Sequence, residues 1–291
     1  MSLIEKAAER LAGLLQEQKP AAPSTPNKTT LSPVAEKIES AAANAVSSQL
    51  VEIDLPKLAA AGFVMPERPR STIAEEFRVI KRPLLANVSS NKAPAIRNAN
   101  LIMVTSALPG EGKSFTALNL AMSIAMERER TVLLVDADVA RPSLPKLMGL
   151  KEQKGILDIL EDRSLQLSDV LLRTNVDKLN LLMAGTAHPH ATELLASEAM
   201  ARLLNEMSQR YADRIIIFDS PPLLMTTEAR VLATHMGQIV FVVQAEESLQ
   251  SAVKEALATI EACPNKSIVL NQARNIDPVV YGYGYGYGYG R

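Results

Sequence analysis

The sequence predicts an α/β fold with a doubly wound, mostly parallel sheet. Two observations point to it. Six short runs are almost continuously apolar, which is typical of strands covered on both faces. Helical stretches at 114–127, 193–210 and 247–261 alternate with the runs, as doubly wound domains require. The six runs are LIMVTSA (101–107), TVLLVDAD (131–138), KLNLLMAG (178–185), RIIIFDSP (214–221), QIVFVVQA (238–245) and KSIVLNQA (266–273).

The composition excludes several classes of protein. Lys plus Arg number 31 and Asp plus Glu 32, so no overall field attracts nucleic acid or anionic lipid, and we expect no nucleic-acid partner. The single Cys263 rules out an internal disulfide framework and suits a reducing compartment. No apolar run approaches the roughly 18 residues of a membrane span, and the N-terminus lacks the layout of a signal peptide. We therefore expect a cytoplasmic protein.

Four segments follow one another along the chain. Residues 1–18 carry apolar side chains at helical spacing, which predicts an amphipathic helix that either docks on a partner or packs on the domain. Residues 19–50 are rich in Pro, Ser, Ala, Asn and Thr and predict a flexible linker. The folded domain is expected over 51–275, and a disordered Gly-Tyr tail over 276–291.

The first apolar run leads directly into SALPGEGKS (106–114), and a helix follows. This strand–loop–helix setting is the one that a Walker A phosphate loop requires. Gly110 and Gly112 let backbone N–H groups turn toward an anion. Lys113 is expected to reach the β- and γ-phosphates, and the Ser114 hydroxyl to bind Mg²⁺.

One position of this loop departs from the usual pattern G-x-x-x-x-G-K-S. Ala107 stands where the first glycine is expected. Alanine is small enough for the turn provided that its φ stays negative, so we expect the change to be tolerated.

Carboxylates follow two further strands. VLLVDADVAR (132–141) places Asp136 and Asp138 at a strand end, and IIIFDSPP (215–222) places Asp219 after four apolar residues, as in a Walker B motif. A lone Asp-Ala-Asp is more often a solvated strand end. Beside a phosphate loop, however, the three carboxylates predict a site for MgATP or MgGTP.

Together these motifs resemble those of the bacterial tyrosine kinases (BY-kinases), which serve exopolysaccharide and capsule export, and in particular the exosortase-system-associated tyrosine autokinases. The resemblance rests on PGEGKS (109–114), on Asp136-Ala-Asp138 with Arg141-Pro142 close behind, on Asp219, and on the tyrosines at the C-terminus. It implies a P-loop NTPase of the deviant Walker type that uses ATP and Mg²⁺.

The resemblance also implies roles for individual residues. Lys113, Asp136 and Asp138 would be catalytic, with Asp136 favoured over Asp138 for activating the incoming tyrosine hydroxyl. Mg²⁺ would be held by Ser114, Asp136 and Asp219. Asn271 matches the position at which related ATPases contact adenine, although a strand-end asparagine that caps a turn is an alternative. The expected nucleotide-binding residues are Pro109, Gly110, Glu111, Gly112, Lys113, Ser114, Phe115 and Asn271.

The stretch STIAEEFRVIKR (71–82) resembles the oligomerisation helix E-x-x-R-x-x-R of the same family. Glu75, Arg78 and Lys81 would line a contact between subunits of a homo-oligomeric ring, although Lys81 lacks the bidentate fork of arginine. An ordinary solvated helix face is the alternative.

Five of the six tyrosines lie in the last eleven residues, at every second position between glycines: Tyr281, Tyr283, Tyr285, Tyr287 and Tyr289. Such a repeat is open to three interpretations, namely a strand, an adhesive low-complexity segment or a string of modifiable hydroxyls. The resemblance favours the third, with each tyrosine phosphorylated by the neighbouring subunit.

The resemblance further implies partners. They are an activator in the inner membrane of the chain-length-determinant type, which would recruit the kinase to that membrane, and a tyrosine phosphatase. Two other functions stay open. One is a partitioning-type ATPase switch, although Leu108 stands where those enzymes carry a signature lysine; the other is a non-catalytic nucleotide-binding scaffold of the export complex.

Overall fold

The computed structural model describes residues 49–89, 96–211 and 214–273. The predicted helix at 1–18, almost all of the predicted linker and the tail at 276–291 lie outside these ranges. The described chain forms an eight-stranded sheet in the order β1-β4-β5-β3-β6-β2-β7-β8, with every neighbouring pair parallel except β4 and β5. The strands are β1 Leu50–Val51, β2 Leu101–Ser106, β3 Thr131–Asp136, β4 Leu172–Thr174, β5 Leu179–Leu182, β6 Arg214–Asp219, β7 Gln238–Gln244 and β8 Lys266–Asn271.

Helices cover both faces of this sheet, as the alternation of motifs predicts. None of the helices in the described ranges is both long enough and apolar enough to cross a membrane. The helices are α1 Leu55–Ala60, α2 Thr72–Ser89, α3 Lys113–Ala125, α4 Leu144–Met148, α5 Ile156–Glu161, α6 Leu167–Val170, α7 Ala191–Leu195, α8 Glu198–Arg210, α9 Thr227–Ala233 and α10 Gln250–Ala258.

The central strand β2 shows why these runs are continuously apolar. All six of its residues are buried, because successive side chains point to opposite faces and both faces are covered. Ile102 and Val104 pack into the core on the side of α1, α2 and α3. Leu101 and Met103 pack into the core on the other side, with α8, α9 and α10.

Two predicted boundaries differ from the structure. The predicted helix at 193–210 is two helices, α7 and α8, because Ser197 adopts an extended conformation and its hydroxyl accepts the Met200 N–H at 3.2 Å as an N-cap. The domain also begins slightly before residue 51, since Leu50 pairs with Arg173 in the sheet.

The segment after β1 forms a wall beside the carboxyl ends of the central strands. Asp54 caps α1 by accepting the Lys57 N–H at 3.0 Å. Its own N–H donates to the Met148 carbonyl of α4 at 3.0 Å. Further along, the Val64 N–H donates to the Asn119 side chain of α3 at 2.6 Å. These contacts hold α1 against α4, and the segment after α1 against the middle of α3.

Candidate functional site

The predicted phosphate loop connects β2 to α3 with the expected backbone geometry. Gly110 and Gly112 have φ of +90° and +94°, a conformation that glycine adopts without strain. A Cβ on Gly112 would lie 1.9 Å from the Asn271 side-chain nitrogen, so any larger residue there would also have to displace the Asn271 side chain. Ala107 is fully buried and is not among the described residues with positive φ, which agrees with the expectation that alanine is tolerated.

Glu111 and Asn271 hold this loop from behind. The Glu111 side chain is 4% exposed and accepts hydrogen bonds from the Leu108 N–H at 2.8 Å and from the Ser248 hydroxyl. The Asn271 amide donates to the Glu111 carbonyl at 3.0 Å. Neither residue lines the cavity in front of the loop, so both side chains support the loop, and their predicted contact with nucleotide stays a prediction.

Lys113 and Asp138 meet at the front of the loop. Their side chains form an ion pair at 2.8 Å, and both line a cavity of about 820 Å³. Burial lowers the pKa of Lys113, but the nearby carboxylates of Asp219, Asp138 and Asp136 act more strongly together, so the pKa is raised overall. Lys113 is therefore held in its protonated, positively charged form. Its ammonium group can leave the ion pair with Asp138 and pair with an incoming anion.

Asp136 and Asp219 end the adjacent strands β3 and β6, where they are register neighbours. Both are 0% exposed, and one oxygen of each, Oδ1, has no hydrogen-bond partner among the described residues. Burial and the facing carboxylate raise the pKa of Asp136 well above its ordinary value. Burial also raises the pKa of Asp219 to about 6, although Lys113 and Ser114 oppose the shift.

Ser143 is a site residue that the motifs do not reveal. Its hydroxyl donates to the Ser114 hydroxyl at 2.7 Å and lies 3.5 Å from Asp219 Oδ2. It thus joins the phosphate loop to the Walker B strand. No spacing in the sequence marks it, because it belongs to the turn before α4.

The donor atoms at this edge fit a hard cation. Asp136 and Asp219 each offer a buried oxygen that lacks a partner, and oxygen donors are those that Mg²⁺ prefers. Within the described residues, no group of three or more His, Cys, Asp or Glu side chains is placed to hold a metal ion. A ligand set for such an ion would therefore have to add the Ser114 hydroxyl and phosphate oxygens to the carboxylates.

Phe115 is the last of the predicted loop residues, and it has a structural partner. Its ring packs against Phe63 and Phe77, with centroid distances of 4.8 Å and 6.4 Å. This aromatic cluster fixes the start of α3 against α2 and the segment that follows α1. Phe115 also lines the cavity, together with Pro109, Gly110, Gly112, Lys113 and Ser114.

The predicted oligomerisation residues lie on α2, but they do not share one face. Glu75 and Arg78 pair with each other at 2.6 Å on the surface. The prediction that Lys81 joins them is wrong: it is 3% exposed, donates to the Ser123 carbonyl at 2.5 Å and pairs with Glu127 at 2.7 Å. Three residues of an α-helix turn about 300°, which is about 60° short of a full circle. From Glu75 through Arg78 to Lys81 this difference adds up twice, so Lys81 points into the protein.

Arg82 occupies the position that was expected of Lys81. It is exposed and follows Glu75 by seven residues, close to two full turns, so the two lie on the same side of α2. The predicted phosphorylation sites, Tyr281 to Tyr289, lie outside the described residues.

Comparisons with known proteins agree with this geometry. The family model that matches is ParA, described as NUBPL iron-transfer P-loop NTPase, over residues 97–265. That match confirms the predicted fold class and shows that the domain is of the nucleotide-binding kind.

Relatives that match over most of their length are kinases by name. The "Putative tyrosine-protein kinase CapB" of Staphylococcus aureus is 30% identical over 208 residues, or 71% of this chain and 87% of the relative. The "Tyrosine-protein kinase YwqD" of Bacillus subtilis (strain 168) is 33% identical over 197 residues, or 67% of this chain and 79% of the relative. The solved structure of the chimerical protein CapA2B2 aligns with a TM-score of 0.62 and 29% identity, covering 82% of this chain and 99% of the other.

Proposed function

This chain belongs to the bacterial tyrosine kinases, which share the ParA-type P-loop fold, and from that premise we propose that it transfers the γ-phosphate of ATP to the tyrosines of its own C-terminus. The ion pair between Lys113 and Asp138 at 2.8 Å carries the proposal, because it places a cation for phosphate and a carboxylate for a hydroxyl at one cavity. Phosphoryl transfer needs positioning and charge neutralisation more than covalent chemistry, and these residues supply both.

In the proposed step the tyrosine oxygen forms a bond to the γ-phosphorus while the bond to the β–γ bridging oxygen breaks. ADP leaves with that oxygen, and the phenolic proton passes to a carboxylate. Asp138 fits this role better than Asp136, which was favoured from the resemblance, because Asp138 lines the cavity whereas Asp136 is fully buried behind it. Lys113, drawn from Asp138 to the phosphates, neutralises the charge that develops there.

Ser114, Asp136 and Asp219 would hold Mg²⁺ on the side of the cavity toward β3 and β6, with Ser143 orienting the Ser114 hydroxyl. When bound, the ion supplies neutralisation of the phosphate charge. The orphaned carboxylate oxygens support this assignment.

The wider setting is also a proposal, and it rests on the family. Tyr281, Tyr283, Tyr285, Tyr287 and Tyr289 would be phosphorylated between subunits of a ring, which Glu75 and Arg78 on the exposed face of α2 would help to form. The kinase would regulate exopolysaccharide polymerisation and export from the cytoplasm, at the inner membrane. A chain-length-determinant membrane protein would activate it there, and a tyrosine phosphatase would reverse the modification.

The test mixes two variants and follows labelled phosphate. Lys113→Met protein, which keeps its tail, is incubated with active chain truncated after Val280. We expect label on the tail of the Lys113→Met protein, because the truncated chain has no tail to accept it. Lys151→Met, at an exposed lysine away from the cavity, is the matched control and should label itself. Absence of label, or label mainly on Tyr211, would contradict the proposal.

The ParA match supports a second candidate function, that of an ATPase switch of the partitioning kind. Leu108 packs partly buried beside Glu111 where those enzymes carry their signature lysine. Release of inorganic phosphate without any phosphotyrosine in the same assay would favour this candidate.

A further inference from the structure

The cavity in front of the phosphate loop is lined by further cationic side chains besides the lysine of the loop itself. It extends from Lys113 to the wall formed by α1 and α4, where Lys57, Arg141 and Lys146 also line it. Of the described residues that line it, Asp138 alone is acidic, and Asp138 is already paired with Lys113. The three other cations therefore have no acidic partner among the described residues that line the cavity.

These three cations belong to α1, to the segment before α4 and to α4 itself. Lys57, Arg141 and Lys146 are exposed, and within the described ranges none of them makes an ion pair. The Lys57 ammonium donates to the Lys146 backbone carbonyl at 2.7 Å, so the Lys57 side chain lies against α4. The capping contacts of Asp54 hold the two helices together beneath them. We call these three residues the cationic rim.

The lining of the same cavity is also partly apolar. Leu58, Phe63, Leu147 and Met225 line it together with the charged residues, and such a surface suits aromatic rings with a polar end. The tail at 281–289 offers five such rings. Unmodified, its Gly-Tyr repeat carries no acidic side chain and gives a cationic rim nothing to pair with. Each phosphate, however, adds about −1.5 to −2 charge.

We propose that the cationic rim binds a phosphotyrosine in the tail of a second copy of this chain, so that a tail phosphorylated once is held while its next tyrosine enters the site. The inference rests on the proposed kinase function and adds to it a subsite that binds the product of the reaction, a phosphotyrosine. In an extended segment, alternate residues lie about 7 Å apart. In a tail with a tyrosine at every second position, the next unmodified hydroxyl therefore lies at a constant spacing from each phosphotyrosine.

The experiment measures binding of tail peptides to the full-length chain whose five tail tyrosines are changed to Phe. The probes are fluorescent peptides of residues 279–291 with either phosphotyrosine or tyrosine at position 285, titrated with ADP present so that no transfer occurs. We expect the phosphopeptide to bind about tenfold more tightly, since charge-assisted hydrogen bonds are worth at least that much. Changing both Lys57→Gln and Lys146→Gln should remove this preference.

The matched control is Lys151→Gln with Lys254→Gln, two exposed lysines that do not line the cavity; it should keep the preference. Equal affinity of the unmodified protein for the two peptides would overturn the proposal. A loss of ADP affinity in the Lys57, Lys146 variant would also overturn it, because the lysines would then serve the nucleotide. Transfer from ATP to the unphosphorylated peptide, measured separately, shows whether the proposed kinase function itself stands.

Discussion

Replacing Asp219 by asparagine should make the nucleotide-free protein more stable while abolishing its activity. Asp219 is fully buried, and its pKa is raised from an ordinary 3.8 to about 6. A raised carboxyl pKa means that stability present below pH 3.8 is lost as the pH rises through 6. The difference of roughly two pKa units corresponds to a cost of about 3 kcal/mol at pH 8 and about 1 kcal/mol at pH 4.5.

An asparagine side chain has the shape of the aspartate without its charge, so Asp219→Asn should recover most of this cost. For a domain of about 225 residues, 1 kcal/mol shifts Tm by about 2–4 °C. We therefore expect a gain of up to about 6–12 °C at pH 8, reduced by what Lys113 loses as a charge partner. At pH 4.5 the gain should fall to about a third of this.

The assay is thermal unfolding of both proteins, free of nucleotide and metal, at the two pH values. Asp158→Asn is the matched control, because hydrogen bonds from Gly155 and Thr186 outweigh burial and lower the pKa of Asp158. Its carboxylate stabilises the fold at pH 8, so the control should not gain stability there. A Tm gain for Asp219→Asn that is equal at both pH values, or a loss at pH 8, would refute this account of the buried carboxylate.

Two further changes test the loop and α2. Gly112→Ala should abolish nucleotide binding, since its Cβ would meet Asn271 at 1.9 Å, whereas Gly62→Ala, at φ +79° in open space, should cost only about 1–2 kcal/mol of stability. Calorimetric titration with ATP checks the first change and urea unfolding the second. Lys81→Met should destabilise the protein by about 1–3 kcal/mol, because it removes a buried donor and the partner of Glu127; urea unfolding should show almost no effect for Arg78→Met, and similar values for both would contradict the burial argument.

The strands and the phosphate loop could be predicted because each carries its own local signal. All six apolar runs contain strands, and the two glycines of the loop have the positive φ that their motif requires. The short strands β1 and β4 escaped prediction, since two or three residues give no period, and pairing with distant segments creates them.

The site was predicted less completely, for a physical reason. Motifs identify residues that approach the phosphates, but not those that support them from elsewhere in the fold. Ser143 reaches Ser114 only because the turn before α4 folds back across the sheet edge. Lys81 shows the opposite case: its spacing suggests a surface role, and only the packing of α2 on α3 shows that its charge is satisfied inside the protein.

The hydrogen bond from Asn271 to the phosphate loop bears on how the tail meets the kinase. It places the last described strand against the active site of its own subunit. From Asn271 to Tyr281 the chain has ten residues, a tether that spans at most about 33–36 Å. A tether of that length is long enough for the first tyrosine to reach the active site of its own subunit. If transfer runs between subunits as proposed, it must be enforced by the shape of the assembly and not by the length of the tether. Labelling per molecule should then slow on dilution only where that assembly dissociates.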